Sequence, residues 1–250
     1  MYKRLFIIII TFAICFTGIA WAGDAATFVD LGFSSDGHYY TFAQYGVESI
    51  TLKPWAEVFL VDVPKNNFVP NGKLTYTHTV PIIQGQDGTG ALYTLLAANG
   101  PLFKKYSIDF LRQSRPLYLS MDNKAAANEK ESTSGSAAGT SSGTPIGEQI
   151  QFRDFESGDS YTASLVSLVE GTGNDLKSSF FINLERTKSD NNKKKYVVGS
   201  PSIKRSLIAS YRICRVMIAP KDGSMIFVIE MTKRTSSGLD IRYMVEALRL

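Results

Sequence analysis

The sequence predicts a mainly β protein of antiparallel hairpins and meanders, sandwich-like or partial-propeller-like, with one or two short helices; an α+β arrangement is the alternative. Two pairs, Asp36-Gly37 and Asp222-Gly223, stand between β-prone runs, which indicates hairpins because glycine accepts the positive φ of a tight turn. Short runs of Val, Ile, Phe and Tyr, broken by Gly, Pro and Asn, fill much of the remaining chain. Both Asp-Gly pairs are predicted to be structural turns and not catalytic sites.

The first residues predict an export signal that is cleaved. Two basic residues at 3 and 4 precede an uncharged run over 5–20, and Ala20-Trp21-Ala22 has the small residues of a cleavage site. The alternative is an uncleaved anchor, but the run is shorter than the roughly 20 residues of a spanning helix. We therefore expect a signal peptide at 1–22, a periplasmic or secreted protein beginning at Gly23, and membrane contact only through an uncleaved signal.

The mature chain must be stabilised by burial. Without residues 1–22 it has 25 basic and 23 acidic side chains, so it is nearly neutral, and Cys214 is its one cysteine, which excludes an internal disulfide. A hydrophobic content of 44% suffices for a sizeable core. Cys214 alternates with Val216 and Ile218 and is predicted to be buried with them on the inward face of a strand. Arg212 and Arg215 nearby leave a reactive thiol as the alternative.

Residues 23–121 predict a β-rich half with a short helix. The plainest strand is 57–63, and 73–80 alternates polar with apolar side chains. His78 lies in this second run and is predicted to be packed and hydrogen-bonded, because no second metal ligand stands at a suitable spacing. After it, a glycine-rich loop at 85–90 leads into a helical segment, with Thr89 as a possible N-cap and Gly100 as its stop.

That loop does not predict a cofactor. A glycine-rich loop before a helix could bind phosphate through backbone N–H groups. However, its spacing fits neither of the common nucleotide-binding patterns, and no lysine stands where a phosphate would need one. A second short helical piece is predicted at 102–107 and a strand at 115–119.

Residues 122–147 are predicted to form a disordered low-complexity linker or loop, since they contain almost no side chain that could be buried. Beyond it, 148–250 predicts a second β-rich half that forms one fold with 23–121. Its expected strands are 148–155, 161–169, 178–186, 196–200, 206–218 and 225–232, followed by 239–250 as a strand or short helix.

A basic stretch covers 186–215, with nine basic side chains against Asp190. Such a stretch could attract an anionic partner. We favour a solvated turn and a lysine-protected edge strand. No nucleic acid partner is expected, because aromatic residues that could stack on bases are few in this stretch. The candidate contacts for an anionic partner are Lys193, Lys194, Lys195, Lys204 and Arg205.

One segment resembles a known architecture. The string Phe33-Ser34-Ser35-Asp36-Gly37, with Tyr40 and Phe42 on the return strand and an apolar strand at 57–62, resembles one blade of the TolB-type periplasmic β-propellers. The resemblance implies a propeller-like arrangement of hairpins for this part of the chain.

A closer resemblance covers nearly the whole mature chain. The opening 28–37, the segment 211–213 before the second Asp-Gly turn, and the closing 241–246 are similar to a bacterial family of predicted secreted proteins of unknown function. The resemblance implies export, and it implies no catalytic residue.

The sequence favours an exported, non-catalytic β-rich protein that acts as an interaction module of the cell envelope, with an unknown envelope or secreted protein as its partner. One alternative is a polyanion or membrane-surface binder that uses 186–215. The other is a hydrolase, in which carboxylates would supply the acid–base chemistry. Asp36, Asp62, Asp222 and Glu230 are the candidates, although each also has an explanation as a turn or strand residue. No cofactor or metal is predicted.

Overall fold

The computed structural model describes residues 23–83, 85–121, 146–236 and 238–250. The predicted signal peptide at 1–22, and residues 122–145 of the predicted linker at 122–147, lie outside these ranges. The described residues form three antiparallel sheets and two short helices, so the mainly β fold is confirmed.

The first sheet is built from the amino-terminal half and has the strand order β4-β3-β2-β1-β5. Its strands are β1 (Thr27–Ser34), β2 (Tyr39–Val47), β3 (Pro54–Asp62), β4 (Asn67–Thr77) and β5 (Ile108–Asp109). Two helices, α1 (Thr89–Ala98) and α2 (Gly100–Lys105), cover its outer face. Ala91, Leu92 and Leu95 of α1 are buried there among aliphatic side chains of the sheet. Thr89 is the first residue of α1 and Gly88 precedes it as the N-cap, so the predicted cap is one residue late.

The other two sheets contain most of the carboxy-terminal half. The middle sheet has the order β13-β12-β11-β6 and consists of β6 (Arg115–Leu119), β11 (Ile208–Ile218), β12 (Met225–Thr235) and β13 (Gly238–Leu248). The third sheet has the order β10-β9-β8-β7 and consists of β7 (Ile146–Arg153), β8 (Ser160–Glu170), β9 (Lys177–Thr187) and β10 (Lys193–Ser206). Because β6 comes from the amino-terminal half, the middle sheet joins both halves of the chain.

The middle sheet lies between the other two and is buried on both faces. Met225, Phe227 and Ile229 of β12 pack in a cluster with side chains of the third sheet. Ile226 and Val228, which alternate with them, pack against the first sheet. Such a continuous apolar run is typical of a strand that is covered on both sides. The protein therefore consists of four layers: helices, first sheet, middle sheet and third sheet.

Two expectations are corrected. The propeller resemblance is not supported, because the sheets are open and stacked face to face. Cys214 is buried as predicted, but it does not share a face with Val216. A β-bulge between Ile213 and Arg215 interrupts the alternation, so Cys214 faces the first sheet and Val216 faces the third.

The two Asp-Gly turns lie against each other, because their hairpins belong to stacked sheets. Gly37 has φ 79° and Gly223 has φ 69°, values at which only glycine is unstrained. Asp36 accepts a hydrogen bond from the N–H of His38 at 3.0 Å, and Asp222 accepts one from the N–H of Ser224 at 3.0 Å. A Cβ atom on Gly37 would lie 3.6 Å from Cγ of Asp222, in ordinary contact.

Replacing either turn glycine with valine should lower the free energy of unfolding by about 1–2 kcal/mol, because a β-branched residue is strained at positive φ. Asp36→Asn and Asp222→Asn are the matched controls and should cost much less, since an amide oxygen can accept the same bonds. Thermal melts of the four variants measure the difference. Unchanged melting of both glycine variants would contradict the structural role of these turns.

Candidate functional site

A groove of about 770 Å³ runs along the free edge of the middle sheet. Its floor is the edge strand β13, one wall is formed by β3 and β4 of the first sheet, and the other by β10 of the third sheet. The groove exists because β4, β13 and β10 are edge strands on the same side of the three stacked sheets. A volume of this size is in the range of sites that bind ligands or peptide segments.

Side chains of the first sheet cover part of the β13 edge. The N–H of Tyr243 donates a hydrogen bond to Oε1 of the buried Gln44 at 2.7 Å. The N–H of Ala247 donates to Oδ1 of Asn66 at 2.6 Å. Val245 lies between these residues, and since backbone direction alternates along a strand, its N–H and C=O also point away from β12. No hydrogen bond to this outward side of Val245 is found among the described residues.

The walls present apolar side chains to the space above β13. Phe68 on β4 is 48% exposed, and its ring lies 5.5 Å from that of Phe59. Opposite it, Ile203 on β10 is 53% exposed. Met231 and Met244, both partly buried, also line the groove, and their flexible side chains can adapt to different shapes. The walls therefore suit a partner with apolar side chains.

Charged groups lie on the floor and at the rim. Burial raises the pKa of the Glu246 carboxyl, while its bond from Asn66 and the charge of Arg205, 3.8 Å away, oppose that shift. Lys65 and Lys233 lie at the rim, and Lys65 is paired with a carboxylate of the first sheet. Basic side chains therefore outnumber acidic ones around the opening.

The five predicted anion contacts do not form one patch. Lys193, Lys194 and Lys195 lie at one end of β10, and Lys204 and Arg205 lie at its other end. Glu185 pairs with Lys193 at 2.8 Å and with Lys195 at 3.7 Å. Glu170 pairs with Lys204 at 2.7 Å, and Lys194 lies over the ring of Tyr196. Arg205 is the one of the five that lines the groove.

The carboxylates proposed for hydrolysis are each engaged in local contacts. Asp36 and Asp222 accept bonds within their turns, Asp62 pairs with Lys65 at 2.8 Å, and Glu230 pairs with Arg212 at 2.9 Å. The predicted packed residue His78 lies in a loop, where its Nδ1 accepts a bond from the N–H of Val80. Among the described residues, no three His, Cys, Asp or Glu side chains are placed to hold a metal ion.

The thiol of Cys214 is not poised for reaction. It lies among apolar side chains between the first and middle sheets. Burial raises its pKa to about 12, more than Arg215 and Arg212 lower it. The thiolate is therefore scarcely populated at neutral pH, and the buried-thiol interpretation is favoured over the reactive one.

Sequence reasoning missed a cluster of four side chains that anchors residues 24–26. We call it the N-terminal clasp, and its members are Asp24, Trp55, Asp240 and Arg242. Oδ2 of Asp24 accepts hydrogen bonds from Nε1 of Trp55 at 2.7 Å and from Arg242 at 2.9 Å. Arg242 also pairs with Asp240 at 3.2 Å and lies over the Trp55 ring at 4.3 Å. Burial raises the pKa of Asp24, and Arg242 opposes the rise.

The backbone strengthens the clasp. Asp24 accepts a bond from the N–H of Ile241 at 2.8 Å, and the N–H of Ala26 donates to Ile241 at 3.1 Å. Residues 24–26 thus lie beside β13 as a short parallel bridge at the end of the groove. No local pattern in the sequence could reveal this arrangement, because the two segments are about 200 residues apart.

Comparison with known proteins relates the chain to a family of proteins that are predicted to be secreted. A family model described as "Predicted secreted protein (DUF2259)" matches residues 41–249. No curated protein and no solved structure gives a match. Within the described residues, no helix combines the length and apolar character needed to cross a membrane.

Proposed function

Because the chain belongs to the DUF2259 family of predicted secreted proteins, we propose that it is an exported, non-catalytic interaction protein. Its binding site is the groove along β13, which takes up an extended segment of another envelope or secreted protein. The observation that carries this proposal is the outward backbone edge of Val245 between two apolar walls, for which no hydrogen-bond partner is found among the described residues. An extended segment can add to such an edge through main-chain hydrogen bonds.

The unpaired backbone edge of Val245 defines where the segment lies. Gln44 and Asn66 already supply acceptors for the N–H groups on either side of Val245. A partner residue opposite Val245 would complete the pairing with one N–H and one C=O group. The existing side-chain bonds would limit the number of further main-chain bonds, so recognition depends mainly on the walls.

The walls define which side chains are recognised. Side chains of an extended segment alternate between two directions. Here one direction leads towards Phe68 and the other towards Ile203, so both sets of partner side chains meet apolar surface. Exposed aromatic and aliphatic side chains of this kind commonly provide the strongest contributions to binding.

The rim defines the residues that flank the segment. Lys65 and Lys233 at the opening favour a partner with acidic residues beside its apolar segment. The carboxylate of Glu246 lies below them and is already bonded by Asn66, so it does not oppose this preference at the rim. The proposed partner segment is therefore extended, apolar and flanked by acidic residues.

Photo-crosslinking in cells tests the proposal. A photoreactive phenylalanine analogue at Phe68 should yield a discrete adduct whose crosslinked peptide contains alternating apolar residues next to Asp or Glu. The same analogue at Phe110, which is 42% exposed and does not line the groove, is the matched control. Phe68→Ser combined with Ile203→Ser should weaken binding of the purified partner at least tenfold, since each anchor contributes about 1 kcal/mol or more.

The Phe110 control identifies the results that would contradict binding in the groove. If Phe68 and Phe110 give the same adducts, or if the groove variant binds the purified partner as tightly as the parent, the groove is not the binding site. Crosslinks from Phe68 to lipid or other small molecules alone would contradict recognition of a protein segment.

A further inference from the structure

One end of the molecule carries a group of exposed apolar residues that lies apart from the groove walls. The group, which we call the apolar end, has side chains that are between 50% and 73% exposed. Its members are Ile50, Leu52, Val80, Ile83 and Leu239. Single exposed apolar residues are ordinary on protein surfaces, whereas a contiguous group marks a contact surface.

Backbone contacts bring these residues together. The N–H of Ile82 donates to the C=O of Leu52 at 2.8 Å, which joins the loop after β2 to the loop after β4. Ile50 lines a cleft of about 420 Å³ together with Thr235 and Ser236 of the turn between β12 and β13. Leu239 follows that turn, so three separate connections contribute to one surface.

The start of the mature chain lies at the same end. Asp24 lines the cleft with Ile50, and Gly23 lies against the backbone of Leu239. The sequence predicts that residues 5–20 are the membrane-inserted part of an export signal. Residues 21 and 22 can span at most about 7 Å. The apolar end must therefore face the bilayer whenever residues 5–20 are in it and the rest of the chain is folded.

Positive charge accompanies the apolar side chains. Lys53 and Arg234 lie within a few residues of two of the three connections, and the described residues place no carboxylate within ion-pair distance of them. Acidic side chains also line the neighbouring cleft, and they have partners. Glu48 accepts a bond from Thr51, Asp24 and Asp240 pair with Arg242, and Glu57 lies 3.9 Å from Lys73. Basic side chains near a membrane favour anionic headgroups by about 1 kcal/mol each.

We propose that the apolar end is a lipid-binding surface, which holds the processed protein on an anionic membrane through the aliphatic side chains of its three connections and the neighbouring basic residues. This surface is separate from the groove walls, so a partner segment could occupy the groove while the apolar end contacts lipid. Its binding is peripheral and reversible, because only a few side chains reach the interface.

Vesicle flotation of the processed protein, purified from cells and checked for its first residue by mass spectrometry, tests this inference. We expect flotation with vesicles of phosphatidylethanolamine and phosphatidylglycerol, and weaker flotation with phosphatidylcholine alone. Ile50→Ser combined with Ile83→Ser should lower the partition coefficient at least tenfold. Lys53→Gln combined with Arg234→Gln should lower it several-fold on the anionic vesicles only.

The control variant combines Leu111→Ser with Phe155→Ser, which changes side chains 94% and 86% exposed that do not belong to the apolar end. It should float as the parent does. The inference is overturned if the parent floats with neither vesicle, if the control loses as much binding as the Ile50 and Ile83 variant, or if that variant floats unchanged. A further result would also overturn the inference. If the parent is a dimer that does not bind vesicles, and the Ile50 and Ile83 variant is a monomer, the apolar end binds a second copy of the chain and not lipid.

Discussion

Replacing Phe227 with alanine should lower the free energy of unfolding by about 4 kcal/mol, because it removes a fully buried ring from the centre of the middle sheet. Phe227 packs in the cluster shared with the third sheet, and its neighbours Ile226 and Val228 pack against the first. The sheets on both sides therefore cannot close the space that the ring leaves. A cavity that stays open has a large free-energy penalty.

Denaturant unfolding of the parent and variant measures this loss. Phe68→Ala is the matched control, because it removes the same ring from a position that is 48% exposed. It should cost about 1 kcal/mol or less. Equal losses for the two variants would contradict a middle sheet that is buried on both faces.

Arg242→Met should lower the free energy of unfolding by about 2–3 kcal/mol, because it leaves two carboxylates of the N-terminal clasp without their cation. The Asp24 side chain is 6% exposed, and that of Arg242 is 21% exposed, so water replaces the lost contact poorly. Arg249→Met is the matched control. Its guanidinium is 63% exposed and 4.0 Å from Asp222, and its loss should cost about 0.5 kcal/mol or less.

A second substitution separates charge from packing. Adding Asp24→Asn to Arg242→Met removes one of the two unpaired negative charges and should restore part of the lost stability. The packing of Arg242 against Trp55 would not be restored. If Arg242→Met and Arg249→Met melt alike, the clasp contributes no more than an exposed ion pair.

The local elements could be predicted from the sequence, because their signals are local. The Asp-Gly turns, the alternation in 73–80 and the hairpin arms around 156–160 each lie within a short window. Their predicted strands agree with the structure to within a few residues at most ends. The strand predicted at 196–200 is the main exception, since β10 covers Lys193–Ser206. Its ends carry charged side chains, and we therefore predicted a strand that is too short.

The assembly of the sheets could not be predicted, because it depends on distant pairing. The residues around β6 do not predict that it pairs with β11. The alternating pattern of 214–218 likewise does not predict the bulge that places Cys214 and Val216 on opposite faces. The groove was missed for the same reason. Its floor is made by Val245, while the side chains that cover the floor on either side, Gln44 and Asn66, come from the first sheet.

The middle sheet also constrains the order in which a newly made chain becomes compact. Its strand β6 pairs with β11, although Tyr118 and Val216 are about 100 residues apart, and β11–β13 are the last strands of the chain. Until these strands are available, the inner faces of the outer sheets, with Phe42 and Phe180, have nothing to bury them. Exposed apolar strands aggregate readily, so we expect a holdase chaperone to protect the chain until β11, β12 and β13 have joined the fold.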